Sequence, residues 1–197
     1  MLVLRQGVLA HRKGIDRWRT HGDSAGVHSS DATNAFRNMA RNTDTRHAVA
    51  GLIVAAYNSV ILGTFQEDAY PLDEHRKAIK AEDAAGLLAE CEDAVKANDQ
   101  GRASAAIQIY GEKGYPVDGV FQTLIKYTIS EDGRLHGEKF FHTVGEEYRT
   151  TRPAFRWRQI TALARVTASS YGYNREDKQG FHAPGYEDAC KLLGVEA

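Results

Sequence analysis

EDGRLHGEKFFHTVGEEY, residues Glu131–Tyr148, decides how the chain is read. At about 100° per residue, Gly137, Phe140, Phe141, Val144 and Tyr148 collect on one apolar face of a helix. His136, Lys139, Thr143 and Glu147 fall on one flank of that face. Glu138, His142 and Glu146 fall opposite it, towards water. A His, a Lys, a Thr and a Glu along the edge of a buried face can line a pocket. They can equally form the ordinary boundary of an amphipathic helix.

Working outward, the same period continues. The Asp132-Gly133 turn leads back to a helix opened by Pro116, with Val120, Leu124 and Tyr127 at helical spacing. Asp99 caps the helix before it, which runs to Gly111–Gly114, and the two read as one antiparallel hairpin. Glu82–Ala97 is amphipathic, and Pro71 opens a short helix to Ala81. Asp44 caps an apolar helix over 45–63 that ends at Gly63, and Ser29 or Ser30 caps a helix to Arg41. On the other side, Pro153 opens a long helix to Tyr171, with Trp157, Ile160, Ala164 and Ala168 inward. A polar Gly-rich loop over 172–183 precedes a short closing helix to Leu193. No segment sustains strand alternation, Thr123–Ile129 being the nearest, and no repeat of fixed period occurs. The expected fold is all-α: one domain over residues 28–197, a compact irregular bundle of six to eight helices. Residues 1–27 read as a flexible N-terminal arm, with Arg5, Arg12, Lys13, Arg17 and Arg19 scattered among glycines.

The 197 residues are 42% apolar and 26% charged, enough for one sizeable core. A net charge of −1 offers no basic excess for nucleic acid. The longest apolar run, Ala48–Ala56 and less cleanly on to Gly63, falls short of the roughly 18–20 residues that span a membrane. No secretory signal is recognisable at the start. Two distant cysteines, Cys91 and Cys190, exclude a disulfide framework and a cysteine zinc finger. They fit a reducing compartment, so a cytoplasmic protein without nucleic-acid or membrane partners is expected, and a homo-oligomer is compatible with all of this.

Chemistry has to come from the eight histidines and their neighbours. His136 and Lys139 are one turn apart, so their heads can converge to orient an oxygen substrate or relay a proton. Glu147 can complete that site or neutralise Lys139. In the helix over 45–63, His47, Gly51, Val54 and Asn58 form one stripe. That helix is apolar nearly all round and is expected at the centre, with Leu52 as a core residue. His28 enters the segment Ser-Ser-Asp-Ala-Thr-Asn-Ala-Phe-Arg, where Asp31, Asn34 and Arg37 share a helical edge. His28, His47 and His136 together, with a carboxylate such as Glu147, are the expected ligands of a transition metal. A ferritin-like di-iron centre is disfavoured, because no Glu-x-x-His occurs. Arg149, Arg152, Arg156, Arg158 and Arg165 around Trp157 either grip an anionic or aromatic group or cover the core edge and pair with Glu146 or Glu147. No phosphate-binding fingerprint, GxSxG, catalytic triad order or kinase motif is present.

Two segments, His28–Arg37 and Leu135-His-Gly-Glu-Lys139, resemble those of all-helical bacterial proteins of the questin-oxidase-like type. The better-known members of that group are larger oxidative enzymes acting on aromatic polyketides. The resemblance implies an oxidative activity and points to His28, His136 and Lys139 as site residues. The expected function is therefore a small-molecule enzyme or ligand-binding protein with an interhelical His/Lys pocket, acid–base or metal-assisted. A non-catalytic helical interaction module, or a subunit of a larger complex, is the alternative.

Overall fold

The computed structural model describes residues 25–61, 69–129, 136–172 and 185–196. Within them lie nine helices and no strand, an all-α bundle with one continuous core. That is one more than the expected six to eight, although the sequence marks a helix at each of the nine places. In chain order they are α1 (Ala25–Arg41), α2 (Thr45–Ile61), α3 (Asp73–Ala78), α4 (Ala84–Lys96), α5 (Gln100–Glu112), α6 (Val117–Thr128), α7 (His136–Thr150), α8 (Pro153–Ser170) and α9 (Tyr186–Leu193). The Asp132-Gly133 turn, the Gly63 helix end, the arm up to residue 24 and nearly all of the Gly-rich loop fall outside the described residues.

Local chemistry sets the boundaries. The Asp44 carboxylate accepts from the His47 amide at 3.1 Å, Asp83 from Gly86 at 2.7 Å and Asp99 from Arg102 at 3.0 Å, each satisfying a free donor of a first turn. Pro153 occupies the first turn of α8, where its missing N–H costs nothing. Gly194 ends α9 with φ +68°.

α8 is the axis of the bundle. Every residue from Ile160 to Ser170 is buried, beneath α4, α5, α6 and α7. The run is rich in Ala, Ser and Thr, so neighbouring backbones come close. The hydroxyls of Ser169 and Ser170 donate to the Val166 carbonyl, so burial does not leave them unsatisfied. Trp157, one turn before this run, donates Nε1–H to the Ile107 carbonyl at 2.9 Å and stacks on Tyr110. Its indole fills the space over Gly111, where any Cβ would collide with the ring.

Several expectations change. Among the described residues α1 is helical from Ala25 onward, so Ser29 and Ser30 lie inside it and do not cap it. Val27, assigned to the arm, is fully buried in the core. The antiparallel hairpin is α4–α5, turned at Asn98 in the left-handed region (φ 56°), whose amide donates to the carbonyls of Ala168 and Tyr171. α6 packs on α4, α7 and α8 instead of pairing with α5. The largest correction concerns α2, which is not central. It packs antiparallel on α1, with the Ser29 hydroxyl donating to the Asn58 carbonyl and Gly51 facing Phe36. Val49, Leu52, Ile53, Val54 and Tyr57 are 51%, 47%, 65%, 46% and 66% exposed, so Leu52 is no core residue. Apolarity on all faces marks a helix that leaves water, but it does not say whether its own chain supplies the cover.

None of the helices is long and apolar enough to cross a membrane among the described residues.

Candidate functional site

The flank of α7 that carries the polar residues faces another helix. It is covered by α1, and the two helices run parallel. His28 meets His136, with ring centroids 5.7 Å apart, edge to face. One turn on, the Asp31 carboxyl lies against the Thr143 hydroxyl and within electrostatic reach of His28 and Lys139. Further along, Asn34 donates to Glu147 at 3.1 Å, Arg37 pairs with the same carboxylate at 2.5 Å, and Asn38 donates to Glu146 at 2.8 Å. The seam is polar over its whole described length.

Its two ends differ in kind. At the far end every acceptor is served. Glu147 is buried and takes hydrogen bonds from Asn34, Arg37 and the Thr151 hydroxyl. Glu146 is held below the usual carboxylate range by the Asn38 and Asn34 amides. This end is a clamp that fixes α1 to α7. At the near end the matching of Asp31 is less complete. Burial raises the Asp31 carboxyl above its ordinary range, and the opposing effects of Thr143, His28 and Lys139 do not cancel it. Its Oδ1 is buried without a hydrogen-bond partner, and so is Oε2 of Glu138 on the neighbouring turn of α7. His28 and Lys139 reach solvent, while His136 is half-buried and Thr143 buried.

Three residues expected from the sequence, His28, His136 and Lys139, therefore meet at one end of the seam. Glu147 does not join them. It lies eleven residues beyond His136, roughly 16 Å along α7, and its carboxylate is committed to Arg37. Nor does His47, which sits past the opposite end of α1, roughly 20 Å from His28 by helix rise. It is exposed, with Nδ1 2.6 Å from Asp44 as part of the α2 cap. The expected three-histidine metal set is thus not assembled. Among the described residues no group of three or more His, Cys, Asp or Glu is placed to hold a metal ion.

Asp31 and Thr143 are the members whose role the sequence left unstated. Asp31, Asn34 and Arg37 form one polar edge on α1, and His136, Lys139, Thr143 and Glu147 form a second on α7. Two such edges of matching length and opposite charges are the signal that the helices pair.

Four of the five arginines around Trp157 lie over the protein's own rings. Arg152 and Arg158 lie over Phe155, Arg156 over Tyr148, and the fully buried Arg165 over Tyr70 at 3.9 Å. Burial pulls the Arg165 guanidinium down to about 10, still charged near neutrality, and Gln100 accepts from its Nε. None takes Glu147, whose partner is Arg37 from α1. Cys91 is fully buried, and burial pushes its thiol up, away from any nucleophilic role.

No family model matches the chain, and no curated protein or solved structure matches it either.

Proposed function

We propose that the near end of the α1–α7 seam is a small-molecule site that works by acid–base chemistry. One observation carries this: two imidazoles in contact, with a carboxyl held above its normal range and a lysine one helical turn away. Grouping such residues disfavours a simple structural role, because the attraction of His28 and Lys139 does not offset the desolvation of Asp31. Lys139 supplies a cation for an oxygen or carboxylate of the ligand. His136 exchanges a proton with it, and Asp31 and Thr143 orient the two imidazoles. The resemblance to questin-oxidase-like proteins supports the same three residues and adds an oxidative reaction on an aromatic compound as the class to try first. Acid–base chemistry is preferred to metal assistance because His28 and His136 lack a third ligand among the described residues.

The test is a ligand-observed NMR screen of small carboxylates, phenols and quinones against the whole protein. Binders of the wild type should be lost on Lys139→Ala and weakened at least about tenfold on His136→Ala, with a stability loss below roughly 1.5 kcal/mol for the latter. Binding that ignores both substitutions sinks the site. Near-stoichiometric copper, iron or zinc in the purified protein, lost on His136→Ala, would replace the acid–base reading with a metal-assisted one.

Asp31 gives a second check through stability. A carboxyl whose folded-state pKa is raised costs stability once pH passes the unfolded aspartate value near ~3.9, and the cost is full above the raised folded value. Asp31→Asn should therefore raise the melting temperature at neutral pH, with the gain shrinking to nothing as pH falls through the carboxylate range. It should also weaken ligand binding, since a group kept at a cost to the fold is kept for something else. Equal or lower stability of the variant at neutral pH would show Asp31 to be an ordinary paired carboxylate.

The interaction-module alternative draws its support from a different surface, the bare apolar face of α2.

A further inference from the structure

α2 carries no charged residue from Ala48 to Ile61, and its outward face presents Val49, Leu52, Ile53, Val54 and Tyr57 to solvent. Together they offer on the order of 500 Å² of apolar surface, at the upper end for the largest patch on a monomer and suited to the centre of a standard ~800 Å² dimer face. Met39 on α1, the helix that α2 packs against, is itself 54% exposed. We propose that this face binds a second copy of the same chain, α2 against α2, in an antiparallel two-fold pairing centred on Ile53.

Three features favour a second copy over other occupants. A two-fold interface requires a surface that tolerates itself, and an uncharged helix meets its copy without like charges opposed. Antiparallel pairing about Ile53 also sets Val49 of one copy by Tyr57 of the other. It brings Arg46, near the N-terminus of α2, beside the negative C-terminal end of the facing helix. The basic stretch over residues 5–19 of this chain, by contrast, would find no acidic group on α2 to receive it. The inference stands apart from the acid–base site, which lies on the other face of α1.

The experiment is sedimentation equilibrium of the full chain from low to high micromolar concentration, with matched variants. The wild type should move from 21.8 kDa towards twice that mass. Ile53→Glu, at an exposed position, should keep the helical circular dichroism and melting profile at low concentration yet weaken association at least about a hundredfold. Under mild oxidation, Ile53→Cys should cross-link to itself across the two-fold axis, while the buried Cys91 and Cys190 stay unreacted. A wild type that stays monomeric throughout overturns the proposal, as does a dimer that Ile53→Glu leaves intact. A monomer that cosediments with phosphatidylcholine vesicles through Ile53 would also overturn it and assign the face to lipid.

Discussion

Phe140→Ala is expected to lose about 3–5 kcal/mol of folding stability, while Leu52→Ala loses about 1 kcal/mol or less in dilute protein. The two residues occupy helices of opposite appearance. α7 is strongly charged and α2 is nearly uncharged, so composition alone would assign the larger loss to Leu52. Burial reverses the order. The Phe140 side chain is fully enclosed, in the same core as Val144 on α7 and Leu163 on α8, and removing the ring leaves a cavity among residues that cannot all move in to fill it. Leu52 stands 47% exposed and leaves water behind, not a void. Chemical denaturation of the two variants beside the wild type reads the difference directly. Similar losses would mean that α2 is covered in the isolated protein.

The second large effect concerns Gly111. Gly111→Ala should destabilise by roughly 1–3 kcal/mol, although alanine is the better helix former by about 1 kcal/mol. The reason is Trp157, whose indole occupies the place of the missing side chain. The ring cannot step aside cheaply: it donates to the Ile107 carbonyl and stacks on Tyr110 at a centroid distance of 6.2 Å. In a Trp157→Ala background the obstruction is gone, and Gly111→Ala should change sign and stabilise. That reversal, measured as a double-mutant cycle by denaturation, separates a steric effect from any general intolerance at the position. Additive losses would show that the glycine serves something other than the ring.

The contrast between α7 and α2 explains how far the sequence carries. Helix class and most ends were legible because they depend on neighbours in the chain: Asp44, Asp99 and Pro153 act where they were expected. The apolar face of α7 was legible as well, since Gly137, Phe140 and Val144 are buried. Which helix covers which face is a long-range choice, and there the local pattern is silent. Periodicity placed Thr143 and Glu147 on a flank but could not show that α1 would bury that flank. It brought His136 and Lys139 to one edge and left His28 to be placed by the packing of two helices a hundred residues apart. Ser29 and Ser30 look like caps because serine suits that role, yet both lie inside α1, where the Ser29 hydroxyl donates to the Asn58 carbonyl. His47 and Glu147 have the chemistry of site residues, but other partners claim both, the nearby Asp44 in one case and Arg37 from α1 in the other.

The all-polar junction between α1 and α7 has a consequence for how the molecule comes apart. Amides, hydroxyls and carboxylates that bond each other across a boundary can bond water almost as well, so separating them uncovers little oily surface and carries little heat-capacity change. The α1–α2 pair, held in the core by Val27, is thus expected to open as a unit before the core does. Its amides should exchange with solvent ahead of those in α8 in a hydrogen-exchange experiment, with an opening that responds to salt and pH.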